Sequence, residues 1–255
     1  MQREFSPTAK SEKIRLDNLL VERGLVENRT KAAALTMAGK VYSGERKLDK
    51  PGQKLAADTP LSVREALHPW VSRGGIKLAH ALEHFSLDAS GVTAIDVGAS
   101  TGGFTDVLLT NGAARVYAVD VGYGQLADKL RRDDRVIVLE RTNARRLGPE
   151  QVPEPVGAVV CDASFIGLRT VLPAALVLAA PGAFLAALIK PQFEAGRARV
   201  GKGGIVRDPA IHAEICETMA AWLSDQEGWQ LLGIAESPIT GAEGNKEFLL
   251  AGRRE

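Results

Sequence analysis

The stretch Asp96-Val97-Gly98-Ala99-Ser100-Thr101-Gly102-Gly103-Phe104 sets three glycines between an apolar run, Val92 to Val97, and a second apolar segment, Phe104 to Leu109. A short run of this kind bounded by turn residues reads as a buried strand, and the segment beyond the glycines as a helix. Glycines at such a junction let a ligand approach the backbone and meet amide donors at the helix N-terminus. The next strand, Val116 to Asp120, ends on an acid 22 residues after Gly98 and is followed by Val121. An acid at that place accepts hydrogen bonds from ribose hydroxyls, so the pair predicts an adenosine-containing cofactor. A dinucleotide loop wants G-x-G-x-x-G, whereas here Ser100 interrupts it and the spacing is G-x-x-x-G-G. Preceded by Asp96, this form suits the methionine moiety of S-adenosylmethionine better than a pyrophosphate. The alternative is a tight strand-to-helix turn that holds no ligand.

Outward from the loop, short apolar strands alternate with helices. A helix over Ile76 to Phe85 comes first, then strands Val136 to Leu139 and Ala158 to Asp162, a helix from Leu168, and strand Ala183 to Ile189. This predicts an α/β fold with a doubly wound parallel sheet covered on both faces. Asp208-Pro209 opens a further helix with Ile211, Ile215 and Trp222 inward. Two closing strands, Gln230 to Glu236 and Glu247 to Ala251, read as an antiparallel pair at one edge. In front, residues 11–67 read as a small α+β domain. Leu16, Leu19 and Leu20 share a helical face before Gly24, Asn28 caps a second helix through Met37 and Ala38 to Gly39, and Val41-Tyr42 and Leu61-Ser62-Val63 supply strands. Residues 1–10 read as a flexible N-terminus, 68–73 as a linker and 74–255 as the large domain.

With 45% hydrophobic and 25% charged residues among 255, the chain is an ordinary globular sequence, which excludes disordered and collagen-like classes. Residues 1–67 carry 13 Lys and Arg against 9 Asp and Glu, and the remainder 19 against 22, so the front is basic. Two cysteines, Cys161 and Cys216, are too few for a disulfide framework and place the expectation in a reducing, cytoplasmic setting. The first ten residues carry an acid and no apolar run, so no secretion signal is read there. Thr170 to Ile189 is uncharged for 20 residues, but Pro173 and Pro181-Gly182 interrupt it, and it reads as helix, turn and strand rather than a membrane span.

A second constellation sits at strand ends, where open parallel sheets bind ligands. Cys161-Asp162-Ala163-Ser164-Phe165 ends one strand and Ile189-Lys190-Pro191-Gln192-Phe193-Glu194 ends another. An ammonium terminating an apolar strand needs an anion, and Asp162 is the expected partner. A structural ion pair at the sheet rim is the plainer reading.

RLDNLLVERG (15–24), RTKAAALTMAGKV (29–41), SRGGIKL (72–78), DVGASTGGFTD (96–106), VDVGYGQL (119–126), CDASFI (161–166), LIKPQFE (188–194), VGKGGIVRD (200–208) and GNKEFLL (244–250) occur in this order. In these motifs the sequence resembles the TlyA-type ribosomal RNA 2′-O-methyltransferases, which join an S4-like RNA-binding domain to an FtsJ-like methyltransferase domain. The resemblance implies a Rossmann-like class I methyltransferase sheet behind an S4-like module, with S-adenosylmethionine as cofactor and ribosomal RNA or ribosomal subunits as partner. It also implies a Lys-Asp-Lys-Glu tetrad at Lys77, Asp162, Lys190 and Glu247, and an adenine contact at Asn143, for which helix capping is the alternative. The expected cofactor residues are therefore Asp96, Gly98 to Phe104, Asp120, Val121, Asn143 and Asp162.

Methylating a ribose hydroxyl requires alignment and removal of a proton. An ordinary lysine is an ammonium at neutral pH, and holding it neutral costs roughly 4–5 kcal/mol. On this reading Lys190 is base or hydroxyl orienter, Asp162 and Glu247 position it, and Lys77 steers substrate. Lys13, Arg15, Arg29, Lys31, Lys40, Arg46 and Lys47 form a candidate RNA face, and Arg197, Arg199, Lys202 and Arg207 a candidate phosphate grip. No metal and no membrane partner are expected. Some relatives carry a haemolysin label, so a membrane-lytic protein and a non-catalytic RNA-binding assembly factor are the rival classes. Among decoys, His80-Ala81-Leu82-Glu83-His84 mimics a zinc helix without a third ligand. Residues 196–202 mimic a phosphate loop, but Gly203 stands where Ser or Thr would hold magnesium. Trp70, Trp222 and Trp229 read as packing residues, and Cys161 as a small buried hydrophobe.

Overall fold

The computed structural model describes residues 13–37, 39–63, 68–241 and 243–255. The expected flexible stretch 1–10 lies outside these residues, as do Ala38 in the second expected helix and residues 64–67 at the end of the expected front domain. The chain divides into two compact units, Met1–Pro69 and Trp70–Glu255.

The first unit runs β1 (Lys13–Arg15), α1 (Leu16–Glu22), α2 (Arg29–Met37), β2 (Val41–Ser43), β3 (Arg46–Leu48), β4 (Lys54–Ala56) and β5 (Ser62–Val63). Asn28 caps α2, its Oδ1 accepting from the Lys31 amide at 2.9 Å. Leu16, Leu20, Ala32, Val41 and Leu48 form the small core. The β2–β3 hairpin gains β5 on its other side, while β1 pairs antiparallel with β4. That last pair was not expected: three residues are too few for any alternation to show.

The second unit continues with α3 (Gly74–His84), β6 (Thr93–Val97), α4 (Gly103–Thr110), β7 (Arg115–Val119), α5 (Asp128–Arg131), β8 (Val136–Leu139) and β9 (Val156–Cys161). It then runs α6 (Leu168–Val171), α7 (Pro173–Val177), β10 (Ala179–Ile189), α8 (Pro191–Glu194), α9 (Pro209–Ser224), β11 (Trp229–Glu236) and β12 (Phe248–Arg254). These strands make one sheet of seven in the order β11-β12-β10-β9-β6-β7-β8, parallel from β10 to β8 with an antiparallel pair at the edge. Neighbours Val159 and Val160 enter different hydrophobic cores, so helices cover both faces, as all-apolar strands require. One core holds Ile215, Met219 and Trp229, and the other Leu78, Val107 and Leu108.

β10 begins four residues earlier than expected. Its pairing with β9 jumps from Ala179–Val156 to Phe184–Ala158, and Pro181 and Gly182 occupy the irregularity, where a missing amide costs no ladder bond. The uncharged stretch 170–189 thus belongs to α6, α7 and β10, and no helix among the described residues is long and apolar enough to cross a membrane.

The chain leaves β6 toward β7 and β8, then returns to the other side for β9. This reversal opens a crevice at the carboxyl ends of β6 and β9, the usual ligand position in such sheets.

Candidate active site

Among the charged residues that line that crevice, four are brought together from distant parts of the chain. The register between β10 and β12 sets Ile189 against Phe248, which brings Lys190 and Glu247 side by side at the sheet end. Asp162 follows β9, its amide bonded to the Val97 carbonyl at 3.1 Å. Lys77 comes from α3, whose start lies against the start of α4: a Cβ at Gly103 would meet Ser72 Oγ at 2.2 Å and the Gly75 nitrogen at 2.9 Å. Lys77 Nζ lies 2.7 Å from Glu247 Oε2 and 3.8 Å from Asp162 Oδ2, and Lys190 Nζ lies 2.7 Å from Asp162 Oδ1. Lys77, Lys190 and Glu247 are all buried. Charges so removed from water persist only when paired, and here each has its opposite.

These groups line a cavity of about 640 Å³, shared with Gly98 to Thr101, Gly103, Phe104, Ser164, Phe165, Gln192, Phe193 and Asn245. Gly98 adopts φ +82°, and a Cβ there would lie 2.8 Å from the Ala163 Cα, so the loop and the Asp162 segment meet at backbone distance. Asp120 closes a much smaller pocket with Ser100 and Gln125; its Oδ2 accepts from the Ser100 amide at 2.8 Å and its Oδ1 from the Gly122 amide at 2.7 Å.

Four expected cofactor residues do not line either pocket. Asp96 is fully buried and turned away, its Oδ2 accepting from the Thr105 amide at 2.9 Å and hydroxyl at 2.7 Å, so it caps the start of α4. Burial pushes its carboxyl up to about 7, against the pull of those Thr105 bonds. Gly102, at φ +95°, packs under Leu126 and Leu130. Val121 is exposed, and Asn143 is engaged as a cap, its Oδ1 accepting from the Arg145 amide at 3.1 Å.

The family description "FtsJ-like methyltransferase" matches residues 70–254, the unit that contains this cavity, and "S4 domain" matches residues 14–59. The chain belongs to the FtsJ-like methyltransferase family. This FtsJ-like methyltransferase is 54% identical over 242 residues to the Bacillus subtilis protein named "Putative rRNA methyltransferase YqxC", covering 94% of this chain and 85% of that one. It is 48% identical over 237 residues to the "16S/23S rRNA (cytidine-2′-O)-methyltransferase TlyA" of Mycobacterium tuberculosis, covering 92% and 88%. Among solved structures it resembles one titled "Putative hemolysin" from Streptococcus thermophilus, with a TM-score of 0.73, 44% identity and coverage of 95% and 88%.

The candidate RNA residues of this FtsJ-like methyltransferase divide by pairing. In the S4 domain, Arg15 and Arg29 both clamp buried Asp17, at 2.8 and 3.2 Å, and hold its carboxyl well below the usual carboxylate range. Lys31 pairs with Glu27 at 2.9 Å, whereas Lys13, Arg46 and Lys47 are exposed and Lys40 is half-buried. Behind the active site, Arg199 is held by both oxygens of Glu214, at 2.7 and 2.6 Å. Arg197 borders a shallow groove with Phe165 and Phe193, and Lys202 and Arg207 are exposed. Of the packing residues, Trp229 is core, Trp222 packs on that core, and Trp70 lies over Gly75. His80 and His84 stack at 5.5 Å, and among the described residues no His, Cys, Asp and Glu group is placed to hold a metal.

Several cavity residues had no role assigned from sequence, among them Ser164, Phe165, Gln192 and Asn245. Each of these four lies within a quoted motif, but none is a charge or a glycine. Phe165 is 91% exposed with φ +66°, and its ring lies 5.3 Å from that of Phe193. Asn245 is buried and joins two loops, donating to the Gly204 carbonyl at 2.9 Å and accepting from the Val206 amide at 3.0 Å.

Proposed function

We propose that the protein is a cytoplasmic, S-adenosylmethionine-dependent ribose 2′-O-methyltransferase acting on ribosomal RNA at a cytidine, with its S4 domain docking the substrate. The observation that carries this reading is the convergence of Lys77, Asp162, Lys190 and Glu247 beside the glycine loop. The names of the relatives at 54% and 48% identity support the substrate, and the second supports the nucleoside.

The residues fit the cofactor. The loop backbone forms one wall of the cavity at a place where a Cβ would collide, and both Asp120 oxygens keep a second lone pair beyond their amide bonds. Gln125 now bonds Ser100 Oγ at 3.1 Å within the small pocket, so an adenosine entering there displaces that side chain. When bound, S-adenosylmethionine supplies a methyl carbon on a positively charged sulfur. The chain's own task is then to align the ribose hydroxyl and accept its proton. Lys190 faces the cavity and is the group for that proton when its amine is neutral. Asp162 fixes the amine from one side, while Glu247 holds Lys77 so that a buried cation sits beside the same carboxylate. Lys77 thereby acts from within the wall of the site rather than as a mobile steering charge. Exposed Lys13, Arg46 and Lys47, with Arg197, Lys202 and Arg207, supply cations for RNA phosphates.

The test combines purified protein, labelled S-adenosylmethionine and separate unmodified ribosomal subunits, with the product mapped by nuclease digestion. Label on a ribose of one cytidine is expected; label on a base overturns the assignment. Lys190→Ala should lower transfer by about 10²- to 10⁴-fold while cofactor and RNA binding persist. Loss of both bindings would make Lys190 a structural residue.

A further inference from the structure

Lys190 is held by more than its carboxylate. Its Nζ donates to Ser164 Oγ at 2.8 Å and to the Asp162 carbonyl at 3.2 Å, besides its 2.7 Å approach to Asp162 Oδ1. We propose that Ser164 is a positioning residue for methyl transfer, acting through Lys190; the proposal rests on the 2′-O-methyltransferase reading above.

A lysine amine ends a four-carbon stem and carries rotatable donors, so one ion pair fixes its distance but not its direction. Both oxygens from Asp162 come from one residue at one side of the amine. Ser164 supplies a second residue, and its oxygen with the Asp162 carbonyl takes the two hydrogen bonds at Nζ that determine where the nitrogen faces. The consequence is largest for the neutral amine, which has two N–H donors and one lone pair. With those donors given to the Asp162 carbonyl and Ser164 Oγ, the lone pair is left for the substrate hydroxyl. Without Ser164, both donors can turn to the two Asp162 oxygens, and the lone pair is no longer aimed.

The segment that carries Ser164 is itself fixed. Ala163 lies against Gly98, close enough that a Cβ on the glycine would collide with its backbone. Beyond Ser164 the chain turns through Phe165 at φ +66°, a left-handed conformation that residues other than glycine rarely adopt. The turn is closed where the Leu168 amide donates to Glu194 Oε1 at 2.7 Å. Ser164 is exposed and lines the cavity, so burial of its own side chain does not explain its presence. Its hydroxyl proton remains available for a second bond, toward the cavity.

The test compares wild type, Ser164→Ala and Ser164→Thr in the ribosomal RNA assay, with kcat and RNA KM measured separately and cofactor affinity read by calorimetry. Ser164→Ala should lose about 10- to 100-fold in kcat, with KM and cofactor Kd within about twofold of wild type. Ser164→Thr keeps the hydroxyl on an exposed position and should recover kcat to within about threefold. An unchanged kcat in Ser164→Ala, a loss confined to KM or Kd, or a threonine variant as slow as the alanine one overturns the proposal. A wild-type protein that methylates no RNA under these conditions overturns the underlying functional reading instead.

Discussion

Asp96→Asn isolates the energetic cost of one buried carboxyl. In the folded chain Asp96 titrates at about 7, chiefly because burial disfavours its charge, while an unfolded aspartate titrates near 3.9. Its Oδ1 has no partner, and an ion with an orphaned oxygen is costlier to bury than a neutral acid. The folded pKa is the raised one, so between about 4 and 7 the folded state keeps a proton that the unfolded chain has released. Stability from this group is therefore full at acid pH and falls by about 1.4 kcal/mol per unit as pH rises, until it is spent above about 7. From pH 5 to pH 8 the loss amounts to about 2–3 kcal/mol. Asparagine keeps an acceptor for Thr105 and has no proton to lose. All three tryptophans lie in residues 70–255, so urea unfolding followed by tryptophan emission reports the unit that contains Asp96. Wild-type stability measured against Asp96→Asn should decline by that amount across the interval. Two curves that stay parallel from pH 5 to pH 8 would refute the reasoning, because Asp96 would then be ionised throughout.

Two further outcomes follow from the geometry. Gly98→Ala puts a methyl 2.8 Å from the Ala163 backbone at φ +82°, which costs at least about 1–2 kcal/mol for the left-handed conformation. Calorimetry should show S-adenosylmethionine affinity reduced by about tenfold or more, and unchanged affinity would show that the loop is not its cradle. Burial pushes the Cys161 thiol up to about 12 and the half-buried Cys216 thiol up to about 11. With a thiol reagent at pH 8 the native protein should label slowly, at Cys216 first, as peptide mapping reads; prior labelling of Cys161 would contradict its place in the core.

The sheet was legible because its strands are apolar on both faces, and that pattern survives in one dimension: Val92 to Val97 and Val156 to Cys161 need no partner to be recognised. Gly98 and Lys190 were legible for a related reason, since a glycine or an ammonium at a strand end is chemically conspicuous. Lys77 and Glu247 were not legible from pattern. One sits on an ordinary helix and the other in a loop, and only the register of β10 with β12 and the packing of α3 bring them together. The resemblance to a family supplied what periodicity could not. Asp96 shows the opposite case. Adjacency to the glycine loop marked it as a ligand residue, but strand side chains alternate in direction, and this one points toward Thr105. At Asn143 the structure shows the capping bond that was the alternative reading.

The insertion of β12 between β10 and β11 ties closure of the sheet to the charge balance of the crevice. Glu247 lies 170 positions beyond Lys77 and directly precedes β12, so the strand that fills a gap in the sheet also brings a carboxylate to a buried amine. Withdrawal of β12 would open an edge on β10 and on β11 and leave Lys77 with Asp162 alone, 3.8 Å away. Unzipping of that edge and loss of charge balance in the crevice are thus a single event.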